Sequence, residues 1–186
     1  MTTLHAELLP DGTCVLRDGD VEHWRVSLPF GEAIAWNPFR AALPWLRAHR
    51  VVAAAGDRIH LLDLDTGTLC TTLDLAPDCF GHLALVELPD AAASTLDLLL
   101  VLGWTDVRAY APPDAILRWH ARHVAVDGLT FDALDGTTLR LHAEMDPPGG
   151  WFAVSLDITS GRELERHPDL LPGYVGCYGQ GPDDPR

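Results

Sequence analysis

Apolar residues along this chain come in short runs, each closed by glycine, proline or aspartate. Val51-Val52-Ala53-Ala54-Ala55 is apolar, Gly56 turns, Arg58 to Leu64 reads as a second strand, and Asp65-Thr66-Gly67 turns again. Leu98 to Leu102, Gly103, Val107 to Tyr110 and Pro112-Pro113-Asp114 repeat that order. Gly149-Gly150, Trp151 to Leu156 and Thr159-Ser160-Gly161 repeat it again.

The copies are in phase. Gly56, Gly103 and Gly150 lie 47 residues apart, as do Gly67, Asp114 and Gly161. Gly19 precedes Gly67 by 48, and Val21-Glu22-His23-Trp24 echoes Ile116-Leu117-Arg118-Trp119 at 95, about two periods. Equal spacing of turns and strands marks an internal repeat. Strands are expected near 51–55, 58–64, 68–75 and 82–88 in the second repeat. In the third they fall near 97–102, 106–111, 115–121 and 123–126, with more strand over 129–134. Leu129 to Leu134 and Thr138 to His142 show partial alternation, and Asp135-Gly136 between them predicts a type I′ hairpin. Asn37-Pro38 reads as the cap and first position of a short helical turn over 37–43. The reading is all-β: antiparallel hairpins repeating about every 47 residues in one domain, 1–178, with a flexible tail over 179–186.

Asp63-Leu64-Asp65-Thr66-Gly67 and Asp157-Ile158-Thr159-Ser160-Gly161, each closing an apolar strand, resemble the blade turns of β-propellers of the quinoprotein and WD-repeat type. Such blades often carry a Trp on the next strand. Pro112-Pro113-Asp114 departs from the pattern, and Trp104-Thr105-Asp106 is only similar to the WD dipeptide. The resemblance implies a small propeller of four blades, the fourth drawing strands from both termini. Without closure, the same hairpins make an open β-sheet or a β-sandwich.

Composition supports the strand reading. Among 186 residues there is no lysine, glutamine occurs once (Gln180) and glutamate seven times, so the usual coating of helix surfaces is scarce; asparagine too occurs once (Asn37). The 13 arginines face 27 acidic residues, a net charge of −14. That balance disfavours nucleic acid and anionic membrane surfaces and suits a basic protein partner. The N-terminus lacks the pattern of a signal peptide, and Cys14, Cys70, Cys79 and Cys177 are too dispersed for a zinc ribbon, so a cytoplasmic chain with reduced thiols is expected. The Ala, Arg, Gly and Pro bias suggests a GC-rich bacterial genome.

Familiar catalytic signatures fail on inspection. Asp65-Thr66-Gly67 has no second copy in the order an aspartic protease needs. Asp63-x-Asp65 lacks the glycine and glutamate of a calcium loop. His142-Ala143-Glu144 lacks the downstream cysteines of a zinc deaminase. No cofactor is expected. His120, His123 and His142 are candidate metal ligands, with Glu144 nearby. Asp146-Pro147-Pro148-Gly149-Gly150-Trp151 is the most distinctive segment, a stiff loop that would present Glu144, Asp146 and Trp151. Asp57-Arg58 and Trp104 with Asp106 occupy the same place in their repeats, so these three loops are expected on one face. The leading expectation is a non-enzymatic, acidic protein-binding module, in one version an immunity or antitoxin-like inhibitor. The alternatives are a metal-dependent hydrolase or lyase with a His/Glu pocket, and a small-ligand sensor.

Overall fold

The computed structural model describes residues 4–89, 95–145 and 150–168. Fifteen strands form four antiparallel sheets. Sheet 1 holds β1 (Leu4–Leu8), β2 (Thr13–Asp18) and β3 (Val21–Ser27). Sheet 2 holds β4 (Arg40–Trp45), β5 (Arg50–Ala55), β6 (Arg58–Asp63) and β7 (Leu69–Asp74). Sheet 3 holds β8 (Phe80–Pro89), β9 (Thr95–Gly103), β10 (Val107–Ala111) and β11 (Ile116–Ala121). Sheet 4 holds β12 (Gly128–Asp135), β13 (Thr138–Glu144), β14 (Trp151–Asp157) and β15 (Glu163–Pro168). In each sheet the strands lie side by side in chain order, so the chain runs out to the last strand and then crosses to the first strand of the next sheet.

The sheets pack face to face through three apolar layers. Leu8, Cys14 and Leu16 of sheet 1 meet Val51, Ala53 and Leu62 of sheet 2. Val52, Ala54 and Leu61 on the opposite face of sheet 2 meet Leu83, Leu99 and Val101 of sheet 3. Leu98, Leu100 and Leu102 on the far face of sheet 3 meet Leu139, Leu141 and Leu156 of sheet 4. Sheets 2 and 3 are covered on both faces, which explains why β5 and β9 are continuous apolar runs. In sheet 4 the strands β13 and β14 alternate, as a sheet covered on one face does, whereas β2 of sheet 1 buries Cys14, Val15 and Leu16 in succession. Among the described residues no fourth apolar layer joins sheet 4 to sheet 1.

Several local expectations are corrected. Residues 123–126 are not strand, and 82–88 opens sheet 3 rather than closing sheet 2, because the crossover falls after β7. The helical turn is Ala33–Trp36, ahead of Asn37. Asn37 instead donates to the Phe80 carbonyl (2.9 Å) and accepts from the Phe39 N–H (2.9 Å). Pro44 is tolerated in β4 because β4 is an edge strand. In the β12–β13 hairpin Asp135 pairs with Thr138, and of the two loop residues only Gly136 has positive φ, which a type I′ turn does not allow. Residues 169–186, including the expected tail, lie outside the described residues.

The outermost strand of every sheet carries a bulge. The skipped residues are His23, Cys70, Arg118 and Leu164, near one repeat apart and all exposed. A bulge twists an edge and blunts its capacity to template pairing. The next residue on the strand faces the neighbouring sheet. In sheet 1 it is Trp24, which lies over Gly67 of sheet 2 and donates from Nε1 to the Leu64 carbonyl at 2.8 Å. In sheet 3 it is Trp119, which lies over Gly161 of sheet 4 and donates to the Ile158 carbonyl at 2.7 Å. A Cβ on Gly67 would approach Trp24 Cδ2 to 2.7 Å, and one on Gly161 would strike the Trp119 ring, so each indole requires glycine below it. Between sheets 2 and 3 this pairing is missing: Thr71 takes the tryptophan position, and the shorter β10–β11 turn carries Ala115 at φ 51.

Candidate functional site

The hairpins β5–β6, β9–β10 and β13–β14 turn at the same end of their sheets, beside the starts of β4, β8 and β12. The crossover segments fasten that end. Phe80 donates its N–H to the Gly56 carbonyl (2.7 Å), Trp104 to Cys79 (2.9 Å), Val124 to Thr105 (2.8 Å) and Val126 to Glu144 (2.8 Å). The three loops expected on one face are therefore brought to one end of the molecule. Asp146 falls outside the described residues.

The individual residues differ in exposure. Asp57 and Arg58 are half-buried, with Arg58 donating to the Pro29 carbonyl at 3.1 Å. Trp104, Glu144 and Trp151 are also half-buried. Phe39 and Val126, which sequence reasoning passed over, are 50% and 43% exposed at the same end. Both lie in crossover segments, where apolar patterning gives no warning of exposure.

Asp106 is corrected. It is 8% exposed and serves the interior instead of the surface. One oxygen accepts from His120 Nε2 at 2.7 Å, and the other accepts from the His123 backbone N–H (2.9 Å) and the Thr105 hydroxyl (3.0 Å). Burial alone would raise its pKa, but those three donors together hold it below the usual carboxylate value. Arg108 Nη2 lies 3.6 Å from Asp106, and its Nη1 donates to Asp78 at 3.2 Å. Asp78 in turn accepts the N–H groups of Cys79, Trp104 and Thr105. This chain of buried charges ties the β9–β10 turn to the crossover between sheets 2 and 3. Asp78 and Arg108 were missed in the sequence, although one arginine inside the apolar run Val107 to Ala111 implies a buried partner.

The three candidate metal histidines do not converge. His120 is bonded to Asp106, His123 is exposed on the following crossover, and His142 lies on sheet 4, 3.8 Å from Asp132. Among the described residues no group of three or more His, Cys, Asp or Glu side chains is arranged to hold a metal. No helix is long and apolar enough to cross a membrane.

No protein-family model and no curated protein matches the chain. Solved structures do. BamB from Moraxella catarrhalis, a β-propeller protein, matches 91% of this chain at 16% identity with a TM-score of 0.54. This chain has a β-propeller-like fold. BBS1N, solved in complex with ARL6DN, matches 89% of the chain at 11% identity with a TM-score of 0.55. The match covers 50% of the BamB chain and 53% of the BBS1N chain, so this chain spans about half the length of either. The four sheets are the blades, and the indole-over-glycine contacts pin blade 1 to blade 2 and blade 3 to blade 4.

Proposed function

We propose that this chain is a non-enzymatic protein-binding module that docks a basic protein through the end bearing the β5–β6, β9–β10 and β13–β14 turns. One observation carries the reading: Phe39 and Val126 are exposed there, 50% and 43%, beside the half-buried Trp104 and Trp151 and the carboxylates Asp57, Asp127 and Glu144. Aromatic and apolar anchors rimmed by charge are the usual make-up of a protein interface. The crossover hydrogen bonds hold these anchors on a rigid frame, which lowers the ordering cost of binding. BBS1N, one of the structural neighbours, was solved bound to a protein. The net charge of −14 favours a basic partner, and an immunity or antitoxin-like inhibitor is the specific form we put forward.

The test is affinity purification of tagged chains from the native source. Proteins recovered with the unaltered chain should be lost with Phe39→Asp and with Trp151→Ala, and kept with Ile116→Asp at the opposite end. A partner that survives both changes, or that is lost equally with Ile116→Asp, overturns the proposed face.

A further inference from the structure

We propose that Arg122, at the start of the crossover from blade 3 to blade 4, receives a carboxylate of the docked protein and so fixes which way round that protein lies. The inference rests on the reading of this end as a docking face, and it adds one chemical feature to the partner.

Most arginines among the described residues already face a carboxylate within 4 Å, Arg17, Arg50 and Arg140 among them. Arg122 is exposed and, among the described residues, faces none. It is oriented all the same. Its Nε donates to His120 Nδ1 at 3.4 Å. The other ring nitrogen of His120, Nε2, lies 2.7 Å from Asp106, so the two contacts together select the ring with its proton on Nε2 and a lone pair on Nδ1. Arg122 is thus held by a neutral ring, and its charge is not cancelled. The holder is firm, because Asp106 is buried and also takes the Thr105 hydroxyl and the His123 backbone N–H. His123 reaches that carboxylate at φ 56, a left-handed backbone that residues other than glycine adopt uncommonly.

The two Nη groups of Arg122 form a planar fork, which matches the two oxygens of a carboxylate. One uncancelled charge suits a monoanion. Beside it lie contacts that a small free acid would not use. Val126 is 43% exposed four residues on, and Trp104 is half-buried next to Thr105, whose carbonyl accepts the Val124 and Ala125 N–H groups at 2.8 and 3.1 Å. A peptide segment can cover both. The far end of the same crossover has the opposite charge: Asp127 is exposed, and Glu144 follows at the strand whose carbonyl fastens Val126 at 2.8 Å. Charge therefore changes sign across residues 122–127. A basic protein seated on Asp127 and Glu144 meets repulsion at Arg122 unless it presents a carboxylate there, so one orientation is favoured over the others.

The test uses the full chain and a blocked peptide, acetyl-Gly-Glu-Gly-amide, at neutral pH and constant ionic strength. Binding is followed by NMR at the Arg122 Nε–H and the His123 backbone N–H. Both signals should shift saturably, and the glutamine counterpart of the peptide should bind at least about threefold more weakly. Arg122→Lys keeps the charge and loses the fork, and should weaken binding by about threefold or more. Arg140→Gln removes an arginine already paired with Asp135 at 3.0 Å, and should leave binding within about twofold. Peptides that bind alike, a lysine that serves as well as the arginine, or an equal loss with Arg140→Gln each overturn the site. Acetate that binds more tightly than the peptide assigns the site to a small acid and overturns the peptide. Captured proteins without peptide binding overturn the role of Arg122 and leave the docking face, whereas peptide binding without captured proteins upholds the carboxylate site and overturns the docking face.

Discussion

At the scale of single residues, glycine and tryptophan do the most specific work. Gly67 and Gly161 have positive φ and each lies under an indole, so a methyl group is opposed twice, by backbone conformation and by contact. Gly161→Ala is expected to cost about 2–4 kcal/mol, the sum of an unfavourable φ and an overpacked contact. Gly136→Ala, at φ 58 but with no heavy atom within 4 Å, should cost only about 1 kcal/mol. Urea denaturation of the two variants separates the contributions, and equal losses would refute the contact. The spacing of these glycines was legible in the sequence, and so was the echo of Trp24 in Trp119. The turn aspartates were legible too. Asp63 Oδ1 accepts from the N–H of Thr66 at 3.0 Å and Asp157 Oδ1 from that of Ser160 at 3.0 Å, and hydroxyl hydrogen bonds help hold both below the usual carboxylate pKa. Asp106 was misread because aspartate in a turn looks the same whether it faces water or a buried arginine.

At the scale of elements, burial on one face or two decides which strands are held most firmly. β5, β6, β9 and β10 are central in sheets covered on both sides, whereas β3, β7, β11 and β15 are outermost and bulged. Hydrogen exchange should be slowest in the first group and fastest in the second, with β2, β13 and β14 between them. Faster exchange in β9 than in β11 would contradict the three-layer packing. The apolar runs gave away the central strands, since Val51 to Ala55 and Leu98 to Leu102 leave no polar face. Which sheet a strand joins was not legible. The strand starting at Phe80 reads equally well as the end of one repeat or the start of the next, and only the crossover after β7 decides it. The crossovers themselves, with Phe39 and Val126, carry no period and so concealed part of the candidate site.

At the scale of the molecule, the acidic composition and the buried His60 set a pH range. His60 is buried, with Nδ1 2.9 Å from the Thr72 hydroxyl and Nε2 3.3 Å from the Pro29 carbonyl, an arrangement that suits the neutral ring. Burial lowers its pKa. The unfolded chain takes up this proton near pH 6.5, before the folded chain does. Stability is therefore complete above that pH and falls below it, by at most about 1.4 kcal/mol per pH unit for this group. Asp106 acts lower down: its folded pKa is depressed, so its contribution is present above about pH 4 and is lost as the pH falls through the folded value. Denaturation at pH 7.5 and 5.5 should show the loss, and His60→Gln should make it smaller. An unchanged difference would remove His60 from the account.

The three layers also differ in what they report to an observer. Trp24 packs into the layer between blades 1 and 2, Trp45 is buried between blades 2 and 3, and Trp119 between blades 3 and 4. Each layer thus contains its own fluorophore. Chains that keep one of these indoles, with the other tryptophans replaced, would give three separate emission signals along a single unfolding curve. Coincident curves would mean that the row of blades melts as one cooperative body, and staggered curves would give the order in which its seams part.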